Sequence, residues 1–130
     1  MTSTKLILAL TCLISGTLVA QEAQVTPLLS KDLADFPGKE ALMITVVYPP
    51  GGADPVHRHN AHGFIYVLEG SVVMQVKGQK PVTLTAGQTF YEGPDDVHVV
   101  GRSASSTKPA KLLVLLLKNK GAPALVPVQQ

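Results

Sequence analysis

Residues 52–70, GADPVHRHNAHGFIYVLEG, carry the reading that decides the fold of this chain. His57 and His59 are two positions apart, and side chains on a strand alternate between faces. Both imidazoles therefore point one way and Arg58 the other. Two neutral imidazoles on one face are half of a transition-metal site, and a third from a neighbouring strand completes its protein side. Beyond them, Phe64-Ile65-Tyr66-Val67-Leu68 is aromatic and β-branched, as strands prefer. It stops at Glu69-Gly70-Ser71, a connection short enough to be a hairpin into a second strand at 72–76. The one histidine outside this stretch, His98, follows Gly93-Pro94.

Outward from this stretch, Pro and Gly recur every eight to twelve residues, the rhythm of an all-β domain. Upstream, 41–48 reads as a strand closed by Pro49-Pro50-Gly51-Gly52; downstream, strands fit at 81–85, 88–92 and 97–101. The run Leu112-Leu113-Val114-Leu115-Leu116-Leu117 has the length of a buried strand, although leucines alone also suit a helix. A barrel over 41–118 is expected, with 21–40 irregular apart from a short helical turn at 31–34. Residues 119–130 are expected as an extended tail.

Residues 1–20 read as a secretory signal: Lys5 gives the positive start, Leu6 to Ile14 the apolar stretch, and Ala20 the small-residue end. That stretch is too short to cross a bilayer, which takes about 20 apolar residues. Removing 20 of the 130 residues leaves 110, enough for one domain and one core. Cys12, the single cysteine, would leave with the leader, so no disulfide would hold the exported chain. Periplasmic or secreted placement follows, with no membrane contact after cleavage. Without Lys5 the formal charge of +2 becomes +1, with scattered charges, which gives no footprint for nucleic acid.

Gly52-x-x-x-x-His57-x-His59, followed by Tyr66-Val67-Leu68-Glu69-Gly70, resembles the first motif of the cupin family. Gly87-x-x-x-x-x-Gly93-Pro94-x-x-x-His98 is similar to its second motif, with the proline displaced. The motifs stand in the family's order, and the resemblance covers about residues 40–118. It implies an all-β, single-domain jelly-roll barrel with a divalent metal inside, held by His57, His59 and His98. The family pattern also expects a glutamate seven residues before Gly70, where this chain has Gly63. His62 would replace it only through a register shift, since neighbours on a strand face opposite ways, and a bulge at Gly63 would supply one. Arg102 stands where the second motif commonly closes on asparagine, which alters a turn rather than the metal.

Three imidazoles without a carboxylate leave a divalent ion its full charge. That favours a small anionic partner, an enolate, carboxylate or thiolate, for which Gly63 leaves room. Fe2+ is favoured, and Mn2+, Zn2+, Ni2+ and Cu2+ also suit imidazole to varying degrees. Glu92, Asp95 and Asp96 read as turn or rim carboxylates, with Glu92 also a candidate proton-transfer group. Three readings stay open: a mononuclear metal dioxygenase, a non-catalytic exported binding or sensing barrel, and a metal-dependent isomerase or decarboxylase. The lack of a clear general base weighs against the third. A homodimer is expected, because a small barrel leaves sheet faces and edges to cover, with 112–117 and the tail contributing.

Overall fold

The computed structural model describes residues 21–129, so the leader expected at 1–20 lies outside the described residues. Ten strands follow in order: β1 Gln24–Asp32, β2 Lys39–Tyr48, β3 His57–Arg58, β4 His62–Glu69 and β5 Ser71–Val76, then β6 Val82–Thr85, β7 Thr89–Glu92, β8 His98–Ser103, β9 Ala110–Asn119 and β10 Val126–Pro127. They form two five-stranded sheets, ordered β1-β2-β9-β4-β7 and β10-β3-β8-β5-β6. Every named pair is antiparallel. The all-β jelly-roll expectation holds.

The leucine run becomes β9, the centre of the first sheet, and a period of two decides its burial. Leu112, Val114 and Leu116 are buried between the sheets, while Leu113, Leu115 and Leu117 stand half-buried on the outer face. The inward residues pack with Ile44 and Val46 of β2, Ile65 and Val67 of β4, and Val72 and Met74 of β5.

Two expectations are corrected. Glu69-Gly70-Ser71 is no hairpin: β4 pairs with β7 and β9, whereas β5 pairs with β6 and β8, so the turn carries the chain from one sheet to the other. Gly70 adopts φ 71° there, and a Cβ would lie 2.5 Å from the Pro109 carbonyl oxygen, which leaves only glycine. The stretch 21–40 is not irregular, because β1 runs along β2 and continues through Lys31 and Asp32, where a helical turn was expected. This edge strand is exposed along its whole length and breaks register between Pro27 and Leu29, so no burial alternation marks it in the sequence. Beyond β9 the chain turns at Lys120 and Gly121, and its β10 then pairs with β3.

Candidate metal centre

The second sheet and the residue just past its β3 supply the three candidate imidazoles. His57 opens β3, His59 follows its end, and His98 opens β8 directly opposite His57 in the ladder. Each offers a ring nitrogen, and these atoms lie within 4.8 Å of one another. Two local devices set them. Gly93 N–H donates to Asp96 Oδ2 at 2.6 Å, closing the turn that delivers His98. Asn60, at φ 50°, turns the chain from β3 towards β4, a left-handed conformation that asparagine tolerates.

Hydrogen bonds fix two of the ring tautomers. His57 Nδ1 lies 2.8 Å from the Pro55 carbonyl oxygen and His59 Nδ1 lies 2.6 Å from that of Ala124. Carbonyls only accept, so both Nδ1 atoms carry hydrogen and donate. In the neutral rings the two Nε2 lone pairs then face each other at 3.2 Å. Only a proton or a cation relieves that contact. Two nitrogens sharing an ion at about 2.1 Å stand about 3.0–3.4 Å apart, for angles between square and tetrahedral. His98 adds a second sign: both its ring nitrogens are buried without a hydrogen-bond partner. An orphaned group of this kind costs about 1–3 kcal/mol in a closed core, and a coordinated ion removes that cost for the one nitrogen it binds. The donor set therefore suits a divalent transition metal.

Burial lowers the His57 imidazole below its ordinary value, against the pull of the Pro55 carbonyl. Burial acts on His59 in the same direction, but Glu92 and the Ala124 carbonyl outweigh it and raise that ring. Glu92 is 3% exposed, inside the site rather than at the turn or rim where the sequence suggested. Its Oε2 lies 3.2 Å from His59 Nε2 and its Oε1 3.0 Å from His98 Nδ1. The His98 contact is an ion-pair distance, and neither nitrogen of that ring has a hydrogen-bond partner. Burial alone would raise the Glu92 carboxyl, yet the two imidazoles overcome it and hold it at about 2. Such a group is a poor proton acceptor at neutral pH. A carboxylate thus does stand beside the three histidines, which corrects the expectation of an all-imidazole site.

His62 is not brought to the cluster. It is exposed, and its Nδ1 bonds the Tyr91 hydroxyl at 2.7 Å. β4 runs through His62 and Gly63 in regular register against β9, its only irregularity lying between Val67 and Glu69, so no bulge turns His62 inward. Sequence reasoning missed several residues around the centre. Asp54 lines the cavity and accepts from the buried Tyr48 hydroxyl, whose ionisation burial and Asp54 both oppose. Gly101 makes room for this group: a Cβ there would meet His98 Cε1 at 2.8 Å, Tyr48 Oη at 3.0 Å and Asp54 Oδ2 at 3.1 Å. The cavity beside the histidines holds about 70 Å³, walled by Ile44, Val46, Met74, Leu112 and Val114, with Val25 and Leu125 also lining it.

A double-sheet barrel with one histidine cluster between its sheets, suited to a divalent ion, defines the class. The family model of the cupin domain matches residues 44–116, more than half of the chain, and the protein belongs to the cupin family. No curated protein matches the chain. Among solved structures, a cupin-like protein from Thermotoga maritima superposes with TM-score 0.66 at 17% identity, over 83% of this chain and 77% of that one. Oxalate oxidase in complex with the substrate analogue glycolate gives TM-score 0.62 at 24% identity, over 82% of this chain and 55% of the oxidase. The DMSP lyase DddQ from Ruegeria pomeroyi DSS-3 gives TM-score 0.59 at 24% identity, over 68% of this chain and 43% of the lyase. The chain thus spans about half the length of those two enzymes, and likeness at these identities shows the fold alone.

Proposed function

We propose that this protein is an exported, metal-dependent cupin enzyme. One divalent ion, Fe2+ favoured, would be held by His57, His59 and His98, and a small anionic chelating substrate would be oxidised with dioxygen. The observation that carries this reading is the pair of Nε2 lone pairs turned on each other at 3.2 Å beside a third imidazole that makes no hydrogen bond. Bound there, the ion would supply open coordination positions for substrate and dioxygen. The chain's own residues do the rest. The Pro55 and Ala124 carbonyls hold the Nδ1 protons and aim both Nε2 atoms inward. The apolar wall excludes water and strengthens the pull of any cation on an anion.

The small cavity favours a compact substrate: about 70 Å³ is less than the roughly 150 Å³ void that accepts benzene. The oxalate oxidase structure, with glycolate bound, supports a small acid as the substrate class for a barrel of this fold. Isomerase or decarboxylase chemistry is less well served, since Glu92 is engaged by two imidazoles and Asp54 by Tyr48, leaving neither as a free base. We further propose that the protein works as a homodimer. The test is dioxygen uptake by iron(II)-reconstituted protein offered two- to four-carbon hydroxy acids, diketones and thiols. Uptake with one class supports the oxygenase. Thermal stabilisation by those compounds without uptake would replace it with the non-catalytic binding reading.

A further inference from the structure

We infer that Glu92 is a fourth protein ligand of the metal, the missing carboxylate of the first motif moved one strand sideways. This rests on the metal-centre reading above and adds to it a residue and a geometric reason. Gly63 pairs with Glu92 across the β4–β7 ladder. On β4, Gly63, Ile65 and Val67 are buried while Phe64 and Tyr66 are exposed, so a side chain at 63 would point between the sheets. Opposite residues of an antiparallel pair share a face, so Glu92 points there too and is itself buried. A Cβ built on Gly63 would lie 3.7 Å from Glu92 Oε2, 3.7 Å from its Cβ and 3.4 Å from Leu116 Cδ2. The Glu92 carboxylate thus stands in van der Waals contact with the point from which a side chain at 63 would start. Its two oxygens already lie 3.2 Å and 3.0 Å from ring nitrogens of His59 and His98, the spacing of atoms that share an ion. Gly63 and Glu92 form one exchange: the glycine removes a side chain so that the glutamate across the ladder reaches the centre. A carboxylate ligand also lowers the charge of a divalent ion from 2+ to 1+, which moderates the cost of holding it between two apolar sheets.

The experiment measures metal content, affinity by calorimetric titration with manganese(II) and zinc(II), and the visible spectrum of the cobalt(II) form. It compares the parent chain, Glu92→Gln, Glu92→Gly and the exchange variant Gly63→Glu/Glu92→Gly, with melting curves of the metal-free proteins as folding controls. Glu92→Gln is expected to lose more than the roughly 10–100-fold that removal of a mere supporting partner costs, and to shift the cobalt spectrum. The exchange variant is expected to regain affinity to within about tenfold of the parent, where Glu92→Gly alone does not. A folded Glu92→Gln protein with parental affinity and an unchanged cobalt spectrum would overturn the ligand assignment and leave the histidine centre standing. A parent chain that binds none of these metals would overturn both readings.

Discussion

His57, His59 and His98 converge through two different routes, and each route makes a separate demand on single residues. His57 and His59 come together locally, at β3 and just past its end, whereas His98 arrives through the β3–β8 ladder, opposite His57. Alanine at any of the three should therefore strip the metal, while His62→Ala, on the exposed face against Tyr91, should leave metal content per chain unchanged. Elemental analysis of the four purified variants checks this. Gly101→Ala should act at a distance. The new methyl would press 2.8 Å from His98 Cε1, and overpacking of this kind costs about 1–3 kcal/mol, read as a lower melting temperature with weakened metal binding. Acid should reach the centre through Glu92. Its folded value of about 2 lies below the ordinary 4.5, so its contribution is fully present above pH 4.5 and is lost as pH falls through 2. At about 1.4 kcal/mol per unit the ceiling is on the order of 3 kcal/mol. Melting temperatures of chelator-treated protein should fall across that window. Glu92→Gln should flatten the fall, leaving the smaller slope from Glu40, which Lys118 also holds low. Sequence made the histidines legible because one spacing and one turn position them. It hid the role of Glu92, because its meaning depends on which residue stands across the ladder.

At the scale of elements, a buried face made strands readable, whereas β1, which lacks one, could not be read. β2, β4, β5 and β9 each bury alternate residues, and that period is written in the order of their side chains. β1 has no buried position, and its course is set by backbone pairing to β2 alone. The passage through Gly70 is hidden for a related reason: a short turn between two strands does not say whether they stay in one sheet. The tail shows how such an element can matter to the site. β10 pairs with β3, Val128 N–H donates to the Val56 carbonyl at 2.9 Å, and the Ala124 carbonyl fixes the His59 ring. Truncation after Pro123 should therefore free His59 Nδ1 and uncover the cavity mouth beside Leu125. Metal affinity should fall about 10–100-fold, as when a supporting partner of a ligand is lost. The far end should stay intact, because Lys118 remains paired with Glu40 and bonded to the Ala122 carbonyl. Circular dichroism of the truncated protein, set beside its metal titration, separates a loosened ligand from a collapsed fold.

Across the whole molecule, the first sheet carries a continuous apolar row on its outer face. Leu29, Met43, Leu115, Phe64 and Tyr91 follow one another in register across all five of its strands. Phe64, Tyr66 and Tyr91 are 46%, 43% and 50% exposed, and a groove of about 420 Å³ runs between these rings and Leu113 and Leu115. Scattered apolar residues on a surface need no partner, but a continuous row across a sheet is the kind of patch that marks an interface. A second copy meeting it about a two-fold axis would bury the same row twice, sheet against sheet at about 10 Å. The expected contribution of 112–117 fits this face through Leu113 and Leu115, whereas the tail is engaged with β3 on the other sheet. The row points away from His57, His59 and His98, so Phe64→Lys and Leu115→Lys should separate the copies without loss of metal. Light scattering at micromolar concentration should give the mass of two chains for the parent and of one for either variant. A parent that elutes and scatters as a single chain would sink the pairing. Lysine variants that remain dimeric would move the contact to another surface.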